Sequence, residues 1–304
     1  MTTNTTSTKN TSNSSKSQPH QQISHPWLPT TNISSKKPKT SLKFHFSFRS
    51  CKKITLNILK IILPTTLAII LSQLAIKYLF ILFLNLIKST DLYHFFTAGN
   101  FPLFFIVTAS SILCLWLIVS FLPKLIRKFS HQKPKNDLST TREELGLTGL
   151  FTWKDILLAP LAFIATLFVG NLILSLVSLF FPQFNPNEAQ ELGITGFISN
   201  LDLILTAIAI FIIPPFFEEI LFRGWIYGKL RSFLAFLPAA LITSALFGII
   251  HGQINVAIVT FVMSMFACLL REITGTIYAS ILLHIIKNAI AFYLLFIAKI
   301  HLTN

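Results

Sequence analysis

The chain is short of charge, and acidic charge is the scarcest. Only 12% of its 304 residues are charged, with 11 Asp and Glu against 25 Lys and Arg. Hydrophobic residues make up 53% of the chain, and the mean hydropathy is +0.67. This composition is too apolar for an ordinary soluble domain and favours a membrane protein.

Cysteine is also scarce, since the chain has only Cys51, Cys114 and Cys268. Their spacing is neither that of a disulfide framework nor that of a zinc finger. The formal net charge of +14 would suggest nucleic acid for a soluble protein. Here, however, Lys and Arg gather in the N-terminal tail and between the apolar runs. We therefore expect the partner of this charge to be a bilayer with anionic lipid, and no nucleic acid.

Long apolar runs predict an all-α fold, a polytopic transmembrane helical bundle of about seven spans. The first run is interrupted by Pro64 and Lys77, so it is one long or kinked helix, and its length leaves open whether it crosses once or twice. The expected spans are about 54–87, 101–123, 155–181, 199–231, 235–251, 256–270 and 276–299.

Composition divides the chain into three parts. Residues 1–50 lack an apolar period and predict a disordered basic tail. Residues 51–145 hold two transmembrane segments and a basic loop, and residues 146–304 form the core that carries the candidate site. By the positive-inside rule, the N-terminus and the loops near 130, 230 and 272 should be cytoplasmic, and the acidic loop 181–196 should face the other side.

Of the acidic residues and histidines, four lie well within apolar sequence, namely Glu218, Glu219, His251 and His284. Such groups cost several kcal/mol in a membrane helix unless they are paired or hydrated, so they are candidates for a functional site. Glu219 can pair with Arg223 four residues later. That pairing would hold the helix in place and leave Glu218, about 100° away around the helix, free for chemistry.

The remaining polar residues complete a hydrolytic set. Phe247 precedes His251 by one helical turn, and His284 with Asn288 can point at one spot. Glu218 could take a proton from water that His251 orients, while His284 and Asn288 stabilise the oxyanion. The alternative is a Zn²⁺ ion held by Glu218, His251 and His284, with water as the fourth ligand.

The three motifs resemble those of the CAAX protease and bacteriocin-processing family of intramembrane endopeptidases, also called CPBP or Abi. They are Glu-Glu-x-x-x-Arg at 218–223, Phe-x-x-x-His at 247–251 and His-x-x-x-Asn at 284–288, within a similarity that covers about 145–300. The resemblance implies a helical membrane fold with a site open toward the cytoplasm. It also implies that Glu218 and His251 activate water and that His284 and Asn288 stabilise the transition state.

Three residues depart from the family pattern, and two of them, Ser264 and Cys268, stand where glycines often pack the sixth span. Lys287 lies inside the last motif, where an apolar or amide residue is more usual. The expected substrate is a peptide or membrane protein, with or without a lipid modification. Two other functions remain open: a transporter or proton-coupled carrier, because carriers also use buried Glu and His, and a catalytically inactive immunity or scaffold member of the family.

Overall fold

The computed structural model describes residues 48–121, 123 and 141–298, apart from 189, 191, 193 and 195. The predicted basic tail, up to residue 47, lies outside the described residues, and so does most of the basic loop that follows the second apolar run. The described residues form helices and contain no strand, which confirms the all-α prediction.

In chain order the helices are α1 Phe48–Ile87, α2 Asp91–Thr97, α3 Phe101–Trp116, α4 Arg142–Leu145, α5 Trp153–Phe180, α6 Asn200–Phe211, α7 Ile213–Glu219, α8 Gly228–Arg231, α9 Phe236–Ile249, α10 Ile254–Thr274 and α11 Tyr278–Phe292. Three stretches of π-helix extend α3, α7 and α11, namely Leu117–Phe121, Ile220–Tyr227 and Tyr293–Ala298.

Within the described ranges, 6 helices are long and apolar enough to cross a membrane. They correspond to six of the expected spans. The seventh, expected at about 235–251, is the shorter helix α9, whose 14 residues rise about 21 Å. That rise is less than the hydrocarbon thickness of roughly 30 Å. Helix α1 is one continuous helix of 40 residues despite Pro64, so it rises about 60 Å and exceeds that thickness.

The bundle is densest around the π-helix Ile220–Tyr227, of which every residue is buried. Helix α10 packs against α5, α9 and α11, and α5 also packs against α11. Helices α9 and α10 approach closely at Gly248, where a Cβ atom would lie 2.7 Å from the carbonyl oxygen of Ala257. A larger residue at this position would force the two helices apart.

One end of the bundle is basic. Lys229 Nζ donates to Glu144 Oε2 at 2.9 Å, and Arg231 Nε donates to Glu272 Oε1 at 2.7 Å. Arg271 also donates to the backbone oxygen of Glu144 at 3.1 Å. The chain near 144, 230 and 272 is therefore gathered at one end, which we call the basic end, while the loop near 130 lies outside the described residues.

The opposite end contains the acidic loop 181–196. Asn255 Nδ2 and Gln253 Nε2 both donate to the backbone oxygen of Glu188, at 2.7 and 3.1 Å. The start of α3 lies here too, because Asn100 N donates to Asp202 Oδ1 at 2.8 Å. We call this the acidic-loop end, and it is where the turn that carries His251 lies.

Candidate active site

The paired glutamates lie where α7 passes into the π-helix. Pro214 and Pro215 occupy the first turn of α7, where proline is favoured because its missing N–H has no partner to lose. The helix ends at Glu219, and the wider π-helix begins at Ile220. Such π-helical segments are frequent at functional sites, because they change the direction in which neighbouring side chains project.

Glu219 is fully buried and bonded on two sides. Its Oε1 accepts from Arg223 Nη1 at 2.7 Å, the pair expected from the spacing, and from His284 Nδ1 at 3.0 Å. Arg223 is also fully buried, and His284 is 2% exposed. A buried charge needs such partners, because an unpaired ion in a low-dielectric interior is strongly unfavourable. Glu219 is thus occupied by structural contacts.

Phe247 holds this group together from α9. Its ring lies 4.5 Å from the guanidinium carbon of Arg223, within the range of a cation–π contact. It also meets the rings of Phe222, His251 and His284 edge to face, with centroids 4.8, 5.0 and 5.6 Å away. The phenylalanine of the second motif therefore joins all three motifs.

His251 lies in the turn that follows α9. Its Nδ1 is 2.7 Å from the backbone oxygen of Phe247. Since a carbonyl oxygen can only accept, Nδ1 carries the proton in this contact. In the neutral imidazole Nε2 then has a free lone pair, which can accept a hydrogen bond or a proton from water.

A cavity of about 260 Å³ brings Glu218 and His251 to one place. Lys287 and Asn288 of α11 line the same cavity, and so does Gln190 of the acidic loop. The other lining residues are mainly apolar. The Oε2 atoms of Glu218 and Glu219 are both buried without a hydrogen-bond partner among the described residues, but Glu218 is the one that lines the cavity. Such an atom calls for an explanation, and a catalytic role is one of the recognised ones.

A second, smaller cavity of about 90 Å³ also reaches Glu218. It is lined by polar side chains of α1 and α3, namely Ser72, Gln73, Ser110 and Ser111. These four residues are not among the site residues expected from the sequence. Polar residues within otherwise apolar spans were the available signal, but nothing local showed that they face Glu218.

The structure does not bring all four predicted catalytic residues to one point. Asn288 lines the larger cavity and donates from Nδ2 to the backbone oxygen of Ile210 at 3.1 Å. His284 is bonded to Glu219 instead, so the two residues of the last motif do not point at one spot. The reason is the carboxylate of Glu219, which holds the imidazole on the buried side of α11.

The three residues that could bind Zn²⁺ do not share one cavity either. Glu218 and His251 line the larger cavity, whereas His284 Nδ1 contacts Glu219. No group of three or more His, Cys, Asp and Glu residues in the described part of the chain could hold a metal ion. In this arrangement the three residues do not fit a Zn²⁺ site, and we derive no step through a metal.

Residues 200–290 match the family model of Rce1-like type II CAAX prenyl endopeptidases. This segment belongs to the Rce1-like CAAX protease family. The family resemblance seen in the three motifs is thereby confirmed, although the matched segment is shorter than the similarity expected over about 145–300. No curated protein and no solved structure shows significant similarity to the chain.

All seven residues of the three motifs lie within the Rce1-like segment. The match supports a CAAX-protease-like peptidase at the level of the family, and together with the 6 long apolar helices it supports an integral, multi-pass membrane protein. Helices α1, α3 and α5 lie outside the matched segment, and the first two of them supply the polar lining of the smaller cavity. Part of the lining next to Glu218 therefore comes from helices that the family match does not cover.

Proposed function

We propose that the protein is an intramembrane endopeptidase that hydrolyses a peptide bond with water activated by Glu218 and His251. The observation that carries the proposal is the separation of the two glutamates. Glu219 is bonded to Arg223 and His284, whereas Glu218 lines the larger cavity together with His251 and Asn288. One carboxylate is thus left available beside a histidine, as general-base catalysis requires.

The proposed reaction uses residues around the larger cavity. Glu218 takes a proton from water, His251 orients that water through Nε2, and the water oxygen attacks the peptide carbonyl carbon. The Asn288 amide donates to the resulting oxyanion. When the C–N bond breaks, the proton held by Glu218 passes to the leaving amine. His284 acts through Glu219 as a positioning residue.

The proposed substrate is a peptide segment presented at the membrane, with or without a prenyl group. The apolar lining of the larger cavity supports this choice, because side chains such as Leu103, Val107 and Phe292 suit apolar substrate residues. The prenyl group is proposed from the family match alone.

The test compares purified wild type with Glu218→Gln in liposomes that contain membrane-tethered peptides, prenylated and unprenylated. Asp91→Asn is the matched control, since Asp91 is an exposed acidic residue of α2. We expect Glu218→Gln to lower the rate by about 10²- to 10⁴-fold and Asp91→Asn to leave it unchanged. Cleavage must also survive a strong chelator.

Three other outcomes would contradict the proposal. Activity lost on chelation and restored by Zn²⁺ would make the enzyme a metalloprotease. Full activity in Glu218→Gln would exclude this residue as the base. No cleavage by wild type on any peptide would favour a carrier or a catalytically inactive family member.

A further inference from the structure

The larger cavity contains a cation that the proposed hydrolysis does not use. Lys287 lies in the third turn of α11 and lines the cavity beside Asn288. A lysine within a membrane span is costly unless it meets water, a counter-charge or a ligand. Among the residues that line this cavity, Lys287 is the one lysine or arginine, and the other ionisable groups are Glu218 and His251.

Lys287 forms no salt bridge with any described residue. The ion pairs in the described part of the chain join other residues. Lys287 and Glu218 do line the same cavity. The ammonium group is therefore close enough to influence the carboxylate of Glu218, but it is not committed to it by direct contact. It keeps donors for a bound molecule.

An anionic ligand of this cavity would need Lys287 as its counter-charge, because Glu218 lines the same cavity. An anionic group bound near Glu218 would place two negative charges in a low-dielectric site, and they would repel each other. Lys287 lies in the same cavity and offsets this repulsion. Asn288 and Gln190 add amide donors to the same lining, and amides donate readily to carboxylates.

We propose that Lys287 is a specificity residue that binds a carboxylate of the peptide substrate inside the larger cavity. The inference rests on the proposed endopeptidase function and adds the chemistry of the substrate to it. The carboxylate can belong to the peptide C-terminus or to an Asp or Glu side chain near the cleaved bond. Apolar substrate residues would occupy the remaining, hydrophobic part of the lining.

The test crosses substrate with enzyme variant. Matched peptides end in a free carboxylate or a C-terminal amide, and a second pair carries Glu or Gln next to the cleaved bond. Wild type should cleave the carboxylate form of one pair with kcat/KM about 10- to 100-fold higher, the range for a hydrogen bond to a charged group. The pair that shows the difference identifies the source of the carboxylate.

Lys287→Gln and Lys287→Met should abolish this preference, and Lys287→Arg should retain most of it because the positive charge remains. The neutral variants should lose activity on the carboxylate peptide through KM, with little change on the amide peptide. Two neutral variants are used so that a folding defect in one does not decide the result.

Two results would overturn the inference. Wild type could cleave carboxylate and amide peptides equally well, or the neutral variants could lose the same factor in kcat on both. The second result would mean that Lys287 stabilises the oxyanion or Glu218. Binding of non-hydrolysable peptides to wild type, in which a reduced amide replaces the cleaved bond, separates this failure from failure of the enzyme assignment. A carboxylate peptide that binds no tighter than its amide would reject the role of Lys287 whether or not cleavage occurs.

Discussion

The buried ion pair between Glu219 and Arg223 makes a quantitative prediction about stability. Both side chains are fully buried, and their charged atoms are 2.7 Å apart. Removing one partner leaves the other charge uncompensated, which costs about 3 to 5 kcal/mol in protein interiors. We expect Glu219→Gln to reach this range, because Arg223 then loses the carboxylate that its guanidinium contacts directly.

Arg223→Met should cost less than Glu219→Gln. In that variant Glu219 keeps its hydrogen bond from His284, and the imidazole can take up a proton to balance the carboxylate. In the double variant no unpaired charge remains, and replacing both members of a buried pair is often nearly neutral. The two single effects should therefore exceed the effect of the double variant when they are added.

The assay is reversible unfolding of the purified protein in mixed micelles as the SDS fraction is raised. Glu144→Gln serves as the control, because the Lys229–Glu144 pair is 2.9 Å apart but its side chains are 32% and 40% exposed. Exposed pairs contribute about 0 to 1 kcal/mol. The reasoning is refuted if Glu219→Gln destabilises the protein no more than Glu144→Gln, or if the single effects simply add.

Two further predictions concern packing and orientation. Gly248→Ala should destabilise the protein by about 1 to 3 kcal/mol, the usual effect of overpacking, because its Cβ would meet the Ala257 oxygen at 2.7 Å. Gly196→Ala should cost less than about 0.5 kcal/mol in the same unfolding assay, since nothing lies within 4 Å of its added Cβ. In a Cys51→Ser background in intact cells, an impermeant maleimide should label Asn187→Cys from outside, and should label Ser232→Cys only after permeabilisation. Equal effects of the two alanines, or the reverse labelling pattern, would contradict the respective expectation.

The parts of the site that depend on local spacing were predictable from sequence. Glu219 and Arg223 are four residues apart, and they pair even though the chain between them is π-helical. The apolar runs also predicted six helices of sufficient length. The bounds of α9, Phe236–Ile249, also lie within two residues of the expected 235–251.

The parts that depend on contacts between helices could not be predicted. His284 and Asn288 share a helix face by spacing, but α11 packs so that Glu219 takes the imidazole while Asn288 stays at the cavity. Ser72 and Ser110 line the same cavity as Glu218, and this depends on how α1, α3 and α7 pack in the bundle. Spacing along one helix carries no information about the partner that a neighbouring helix presents.

The fold also sets two expectations from the sequence against each other. The positive-inside rule assigns the basic end to the cytoplasm, and the family resemblance assigns the site to the cytoplasmic side. His251 and Gln190, which line the larger cavity, lie at the acidic-loop end. These lining residues therefore lie at the end opposite the one that the positive-inside rule assigns to the cytoplasm.

We favour the positive-inside assignment, because it rests on the charge of this chain itself. Lys229 and Arg231 lie at the basic end next to the chain near 144, where the basic loop ends. Reversing the molecule would move that whole cluster across the membrane, which the negative cytoplasmic surface potential opposes. The peptide substrate would then reach Glu218 from the side opposite the basic loops. Maleimide labelling at residues 187 and 232 measures this orientation directly, and the reverse pattern would restore a cytoplasmic entrance and make this chain an exception to the charge rule.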